Sequence, residues 1–195
     1  GLEVGADHVE RDAASLEVQV EAIGAACEQA GALDVLAASS PADRRALWEA
    51  RRQISPALKD AYRIKVNEDV CVPRGHIVEM LARIDRVAAA TGVPVAVFGH
   101  AGDGNLHVNL LSNDDPDDPA VRAHMLEAAR QVFAHTIELG GTLSGEHGIG
   151  LAKRDFMPME QPERVLEWQR RWTAMWDPAD LPNPGKILPA RRPAC

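Results

Sequence analysis

Hydrophobic and polar residues alternate most clearly over residues 97–111, whose sequence is VFGHAGDGNLHVNLL. Alternation with a period of two is typical of a strand with one buried face. Asp103-Gly104 is a strong two-residue turn signal, because glycine adopts a positive φ without strain. The pattern therefore predicts a hairpin in which His100 lies directly opposite His107.

The two faces of this predicted hairpin differ in chemistry. Leu106, Val108 and Leu110 point to one side, and we expect them to enter the hydrophobic core. The other side carries His100, Asn105, His107 and Asn109. A strand face made of imidazole and amide groups favours a binding site over a solvated surface.

The rest of the chain alternates between the helical period of 3.6 and short strand patterns. Predicted helices cover 13–30, 74–91, 121–139 and 162–176. A further helix is predicted to begin at Pro41, with Ser40 as its N-cap, and to be disturbed at Pro56. Predicted strands cover 1–4, 33–38 and 64–72, in addition to the hairpin. Because hairpin strands are antiparallel, the expected fold class is α+β, with one antiparallel sheet covered by helices.

Four side chains recur at intervals of three to four residues in the last predicted helix: Val165, Trp168, Trp172 and Trp176. Large aromatic groups at helical spacing most often pack in a core or an interface. We therefore expect a packing role for the tryptophans. The chain then ends in a Pro-rich tail over 177–195, and a single domain over 1–195 is expected.

Composition narrows the function classes. The formal net charge of -8 argues against nucleic-acid binding, which needs a basic surface. No apolar run is long enough to cross a membrane, and nothing at the N-terminus resembles a signal peptide. Cys27, Cys71 and Cys195 form no CxxC pair, which favours a reducing cytoplasm. We expect Cys27 and Cys71 in the core, and any membrane contact to be peripheral or through a partner.

Three side chains have the chemistry of metal ligands: His100, His107 and Glu146. Two imidazoles and one carboxylate form a common open set for a divalent ion. Glu146 lies in the glycine-rich segment 142–150, where glycines permit close backbone approach. From the residues alone, a metal site and a hydrogen-bonded histidine pair are equally compatible with the pattern.

Two further groups of residues leave alternatives open. If Glu146 is a ligand, its neighbour His147 is expected to point elsewhere and to serve as a general base, or else to orient the loop. Arg51 and Ser55 share a helix face, and Lys65 begins the next strand. Together they could clamp a carboxylate, although for Arg51 alone a solvated helix face is the better explanation.

Four segments, in this order, give the chain a resemblance to the C-terminal domain of FAD-linked oxidases of the vanillyl-alcohol-oxidase type: KVNEDVCVP at 65–73, GHAGDGNLHVNLL at 99–111, SGEHGIG at 144–150 followed by Lys153, and NPGKIL at 183–188. The resemblance covers most of the chain, from residue 33 to residue 189. It implies a ferredoxin-like cap over a flavin that is bound by a separate N-terminal domain outside this chain.

The resemblance also implies roles for individual residues. His100, His107 and Glu146 match the ligands of a divalent metal, with zinc favoured, and His147 matches the base that takes the 2-hydroxyl proton. Positions that hold substrate carboxylates are matched by Arg51, Ser55 and Lys65, with Ser55 in place of a threonine and one residue fewer before Lys65. Asn109 matches an asparagine that contacts the substrate. Asn183 and Lys186 match a tail that returns to the flavin domain.

The implied activity is oxidation of a D-2-hydroxy acid, of the lactate, glycolate or hydroxyglutarate type, to a 2-oxo acid with hydride transfer to FAD. The implied partners are the hydroxy acid, the FAD-binding domain, and an electron-acceptor protein or iron–sulfur subunit. Two rivals from other classes are a stand-alone metal- or carboxylate-binding module and a metal-dependent hydrolase. We expect the chain alone to lack dehydrogenase activity.

Overall fold

The computed structural model describes the backbone of residues 6–190 and the side chains of residues 15–190. The chain divides into two units, with the boundary between Ile54 and Ser55, and each is described by itself. The predicted strand at 1–4 and Cys195 lie outside the described residues. The single cap domain, its tail and the separate FAD-binding domain remain predictions.

The first unit is helical. Helix α1 spans Ala6–Gln29, and helix α2 spans Pro41–Ala61 and continues into the second unit. The predicted N-cap is confirmed, because the Ser40 hydroxyl accepts a hydrogen bond of 3.1 Å from the amide of Asp43. Pro56, where the sequence predicts a disturbance, lies inside α2, and the helix continues beyond it, since proline removes one donor without necessarily stopping a helix.

The predicted strand at 33–38 is wrong. This segment has no regular structure, and the side chains of Leu33 and Leu36 are exposed. A strand needs a neighbour to satisfy its backbone groups, and the sheet in the described residues includes no strand from this segment. An apolar run of this length predicts burial but does not supply a partner.

The second unit is built on a three-stranded antiparallel sheet with the order β1-β3-β2. The strands are β1, Ile64–Cys71, β2, Val95–His100, and β3, Asn105–Ser112. Helix α3, Ile77–Thr91, follows a short 3₁₀ turn, and helix α4, Pro119–Glu138, follows β3. The expected α+β class, an antiparallel sheet covered by helices, is confirmed.

The order of these elements is that of the first five elements of a ferredoxin-like βαββαβ unit. The described residues include three strands where that unit has four. At the open edge of β1, Cys71 forms an isolated antiparallel bridge with Thr142, and each backbone N–H donates to the other residue's carbonyl. The segment after α4 therefore reaches the edge where a fourth strand would lie.

The core lies between one face of the sheet and helices α3 and α4. Branched side chains of β1 and β3 meet apolar side chains of both helices, as the alternation predicts. The most completely buried of them are Val70, Met80, Ile84, Val108, Leu110, Val132 and Phe133. The opposite face of the same strands is therefore left for polar side chains.

The register of the predicted hairpin is wrong by two residues. His100 pairs with Asn105, and Phe98 pairs with His107, across a four-residue turn. Gly104 has φ +80°, and a Cβ on it would collide with the carbonyl oxygen of Val72. Because a shift of two residues returns each side chain to its original face, His100 still neighbours His107, now diagonally.

Helix α5, Met157–Glu160, and helix α6, Glu163–Trp176, complete the described elements. Leu166 of α6 is fully buried, but Trp168, Trp172 and Trp176 are 63%, 56% and 78% exposed. The prediction that these three tryptophans pack in the core of this chain is therefore wrong, and packing in an interface stays a prediction. Cys27 and Cys71, which were expected in the core, are only half-buried and are not in a disulfide.

None of the helices within residues 6–190 combines the length and the apolar character that a membrane span requires.

Candidate metal and substrate site

The polar face of the sheet gathers side chains from all three strands. The register places Asp69 opposite His107 and Asn67 opposite Asn109. The side chain of His107 is buried. Its ring lies beside that of Phe98, with the centroids 5.5 Å apart and the planes tilted by 53°. The alternation seen in the sequence thus places polar side chains of β1 and β3 on one face, beside Phe98 of β2.

Glu146 meets the two histidines on this surface. The Oε1 atom of Glu146 lies 3.3 Å from Nε2 of His107 and 4.0 Å from Nε2 of His100. The imidazole rings of the two histidines meet edge-on, with centroids 5.4 Å apart. One potential ligand atom from each residue lies within 4.8 Å of the other two.

These separations fit a divalent metal. A tetrahedral ion with bonds of about 2.0–2.1 Å holds its ligand atoms roughly 3.4 Å apart. The separation of 3.3 Å between Nε2 of His107 and Oε1 of Glu146 already has this size. Two nitrogens and one oxygen are also the donor set that zinc accepts, and a further position stays open.

His147 does not point away from Glu146, contrary to expectation. Its ring stacks on that of His107, with centroids 5.3 Å apart and 17° between the planes. Its Nε2 lies 3.8 Å from Oε1 of Glu146. In a strand, adjacent side chains point to opposite faces. Here the loop curves, and the backbone amides of Glu146 and His147 both donate to one carboxylate. This shared acceptor keeps the two side chains on the same side.

That carboxylate belongs to Asp69, which the sequence reasoning did not single out. Asp69 is fully buried and accepts hydrogen bonds of 2.8 Å from the amides of Glu146 and His147. Further donors are the hydroxyl of Ser144, at 3.1 Å, and the side-chain amide of Asn105, at 2.9 Å. The available signal was its position in β1, two residues after Asn67 and therefore on the polar face.

Burial of the Asp69 carboxyl acts to raise its pKa, but the hydrogen bonds from His147, Glu146 and Asn105 outweigh burial and lower the pKa to about 2. Asp69 is therefore ionised throughout the physiological range. A fixed negative charge thus lies beneath the loop that carries Glu146 and His147.

Lys153 also holds the loop that carries Glu146 and His147. Its buried ammonium group donates hydrogen bonds of 2.6 Å to the carbonyls of Asp69 and Leu143. It also lies 3.9 Å from the carboxylate of Glu68, on the core face. Burial lowers the pKa of Lys153, while burial raises the pKa of Glu68 to about 7.

Close packing requires glycine where the loop meets the hairpin. A Cβ on Gly145 would collide with the side-chain amide of Asn105 and approach Asp69 within 3.1 Å. The glycine-rich character of the loop, which suggested close approach, is therefore explained at this position.

Asn109, a predicted substrate contact, is fully buried on the polar face. Its amide nitrogen donates hydrogen bonds of 3.1 Å to the carbonyls of Ala96 and His107. Its Oδ1 atom finds no donor within the described part of the chain.

Ser55 and Lys65 are brought together, since the Lys65 ammonium donates to the hydroxyl and to the carbonyl oxygen of Ser55. Arg51 belongs to the first unit, where it lines a cavity of about 300 Å³ with Arg44 and Trp48. The clamp formed by Arg51, Ser55 and Lys65 remains a prediction.

Asn183 and Lys186 lie in the tail that follows α6. The Lys186 ammonium donates a hydrogen bond of 2.8 Å to the side chain of Asn183, which has φ +51°. Both line a cavity of about 870 Å³ together with Arg170 and Asp177. The structure thus places the two predicted flavin contacts beside a cavity.

The sheet with one helix-covered face and one polar face, together with the His/His/Glu cluster, defines an α+β domain with a candidate metal centre. Residues 2–187 match the sequence family described as FAD linked oxidases, C-terminal domain. This chain belongs to that family.

Three relatives indicate the kinds of enzyme in which such a domain occurs. The chain is 34% identical over 174 residues to the glycolate oxidase subunit GlcD of Bacillus subtilis, a match covering 89% of this chain and 37% of the relative. The D-lactate dehydrogenase of Anaerostipes hadrus is 36% identical over 88% of this chain and 36% of its own length. The D-2-hydroxyglutarate dehydrogenase of Stutzerimonas stutzeri is 30% identical over 84% and 35%. This chain thus spans about a third of the length of these relatives.

Proposed function

We propose that this chain is the substrate- and metal-binding cap of an FAD-dependent dehydrogenase that oxidises a D-2-hydroxy acid to a 2-oxo acid. The observation that carries the proposal is the convergence of His100, His107 and Glu146 next to His147. When bound, a divalent ion would acidify the substrate hydroxyl, and FAD would accept the hydride.

The metal ligands in this proposal are His100, His107 and Glu146, and the favoured ion is zinc. His107 is buried in the sheet, whereas His100 and Glu146 are partly open to solvent. One side of the ligand set is therefore rigid, and the other is accessible to a substrate. The chemistry that fits the open side is a carboxylate with a neighbouring hydroxyl group.

His147 is the proposed base for the 2-hydroxyl proton. A ring nitrogen of imidazole can accept a proton from a bound substrate, and stacking on His107 holds the ring beside the ligand set. Its side chain is 44% exposed, so a proton taken from the substrate can pass to solvent.

Substrate binding is assigned to Asn109, Ser55, Lys65 and Arg51. The Lys65 ammonium group supplies a positive charge at the edge strand β1, held by Ser55. A cation in that position favours a substrate with a carboxylate, because charge-assisted hydrogen bonds are the strong ones.

The flavin itself belongs to the proposed FAD-binding domain, with Asn183 and Lys186 as the contacts from this chain. The other proposed partner is an electron-acceptor protein or an iron–sulfur subunit. The relatives include an enzyme subunit, the glycolate oxidase subunit of Bacillus subtilis, which supports an assembly of more than one protein.

The test is zinc binding by competition with a chromophoric chelator, using the wild-type chain, His100→Ala, and the matched control His124→Ala. His124 lies on α4, and its ring contacts the carbonyl of Thr91 away from the cluster. We expect His100→Ala to weaken zinc binding at least tenfold and His124→Ala to leave it unchanged. Absence of bound metal after addition of zinc or manganese contradicts the proposed centre.

A second measurement tests the cap role. The chain alone should not oxidise lactate, glycolate or 2-hydroxyglutarate, whereas the chain joined to a flavin-binding domain should. Turnover by the chain alone contradicts the cap role.

A stand-alone metal- or carboxylate-binding module is the second candidate. One observation favours it: the ligand set and Lys65 all lie within the second unit. An open reading frame without a flavin-binding domain, together with zinc binding, supports this candidate over the first.

A further inference from the structure

The side chain of Asp69 occupies an unusual position beneath the candidate metal centre. It is fully buried, yet the side chains of Glu146 and His147 above it are 52% and 44% exposed. Its carboxylate is the common acceptor for the backbone amides of those two residues. The rigid part of the site is therefore beneath the loop.

The Asp69 carboxylate accepts four hydrogen bonds. Three donors meet Oδ2: the Ser144 hydroxyl and the two loop amides. Oδ1 accepts from the side-chain amide of Asn105. With three donors, Oδ2 is poorly suited to bind a metal, whereas Oδ1 has one donor and keeps a lone pair for another.

His107 gives a second link to Asp69. Its Nδ1 atom is buried and has no hydrogen-bond partner in the described residues. The nearest carboxylate is Oδ1 of Asp69, 3.9 Å away. Metal-binding histidines commonly donate their second ring N–H to a carboxylate, which directs the other nitrogen to the ion.

We propose that Asp69 is a positioning residue of the candidate metal centre, which fixes the backbone of Glu146 and His147 and orients the ring of His107. This inference rests on the proposed metal-binding function and deepens it. One buried carboxylate thereby links the hairpin that carries the histidines to the loop that carries the third ligand and the base.

The first test needs no variant and no metal. In the wild-type chain, hydrogen exchange measured by NMR should show the Glu146 and His147 amides exchanging at least tenfold more slowly than the amide of Gly102 in the exposed turn. Long-range proton–nitrogen spectra should show neutral His107 with its proton on Nδ1. Fast exchange of both loop amides overturns the proposal.

The second test compares Asp69→Asn with Glu68→Gln. Both changes replace a carboxylate of β1 with an amide, but Glu68 lies on the core face, beside Lys153. In Asp69→Asn, we expect both loop amides to lose their protection and zinc to bind 10- to 100-fold more weakly, the usual cost of losing such a partner. In Glu68→Gln, we expect zinc affinity within threefold of wild type.

The outcomes separate this inference from the metal proposal. A folded Asp69→Asn chain that keeps amide protection and zinc affinity overturns the positioning role. If wild type binds no zinc, the metal proposal fails, and amide protection in Asp69→Asn alone decides the positioning role. If Asp69→Asn does not fold, exchange in the wild-type chain decides it.

Discussion

The two faces of β1 place adjacent carboxylates, Glu68 and Asp69, in opposite surroundings. Both side chains are buried, but burial raises the pKa of Glu68 to about 7, while hydrogen bonds overcome burial and lower that of Asp69 to about 2. Glu68 faces the core and a lysine at 3.9 Å, whereas Asp69 accepts four hydrogen bonds. Donors in direct contact therefore decide whether a buried carboxylate stays charged.

This difference assigns different work to the two faces. The core face packs against the helices, and it also buries the Glu68–Lys153 pair, whose burial is unfavourable for both charges. On the polar face, the charge of Asp69 organises a loop whose own side chains are exposed. Each of the following changes is made on one of the two faces.

The largest expected effect is that of Asp69→Ala. Removing the carboxylate leaves the amides of Glu146 and His147 and the side chain of Asn105 without their acceptor. We expect a loss of about 4 kcal/mol in the free energy of unfolding, measured by urea denaturation, because breaking a buried charged network is expensive. A loss below about 1 kcal/mol would contradict the role given to this carboxylate.

The second effect is a pH dependence of stability caused by Glu68. Its pKa is higher in the folded chain than in the unfolded chain, so the folded state binds more protons between pH 4.5 and about 7. Stability therefore falls as pH rises through this window, by up to about 3 kcal/mol.

Urea denaturation of wild type and Glu68→Gln at several pH values isolates this contribution. Glu68→Gln should lack this part of the pH dependence. Parallel profiles for the two chains between pH 5 and pH 8 would show that Glu68 titrates normally.

The third effect concerns packing on the polar face. In Gly145→Ala the new methyl group meets the side chain of Asn105, and we expect a loss of about 2 kcal/mol, typical of overpacking. Gly102→Ala is the matched control, because nothing lies within 4 Å of a Cβ at that position. Equal melting temperatures for both variants would contradict the close approach of the loop to the hairpin.

The smallest expected effect on stability is that of His100→Ala. Its side chain is 45% exposed at the end of β2, and a change at such a site alters the free energy of unfolding by less than about 0.5 kcal/mol. The same variant is expected to bind zinc at least tenfold more weakly. A large loss of stability in the absence of metal would show that His100 supports the fold. His100 could then not be assigned to metal binding alone.

Sequence reasoning succeeded where a local pattern is sufficient. The alternation in β3 assigns Leu106 and His107 to opposite faces, and the structure places them there. It failed for the register, because the Asp103-Gly104 signal is local, while Gly104 is fixed by the carbonyl of Val72, a contact distant in sequence. Asp69 was missed for the same reason, since its partners lie 36 to 78 residues away.

The tryptophans of α6 show a further limit of sequence patterns. Periodicity identifies an apolar stripe but does not identify what covers it. Leu166 enters the interior, while Trp168 and Trp172 stay exposed in this chain. The pattern alone gives the same expectation for both outcomes.

The most direct measurement of the central proposal is the position of a bound ion. Anomalous diffraction at the zinc edge from crystals of the chain grown with zinc should place one ion within about 2.0–2.2 Å of Nε2 of His100, Nε2 of His107 and Oε1 of Glu146. Asp69 should remain hydrogen-bonded to the loop and outside the ligand sphere. An ion bound instead by Asp69, His107 and His147, or no ion at either cluster, would contradict the proposed centre.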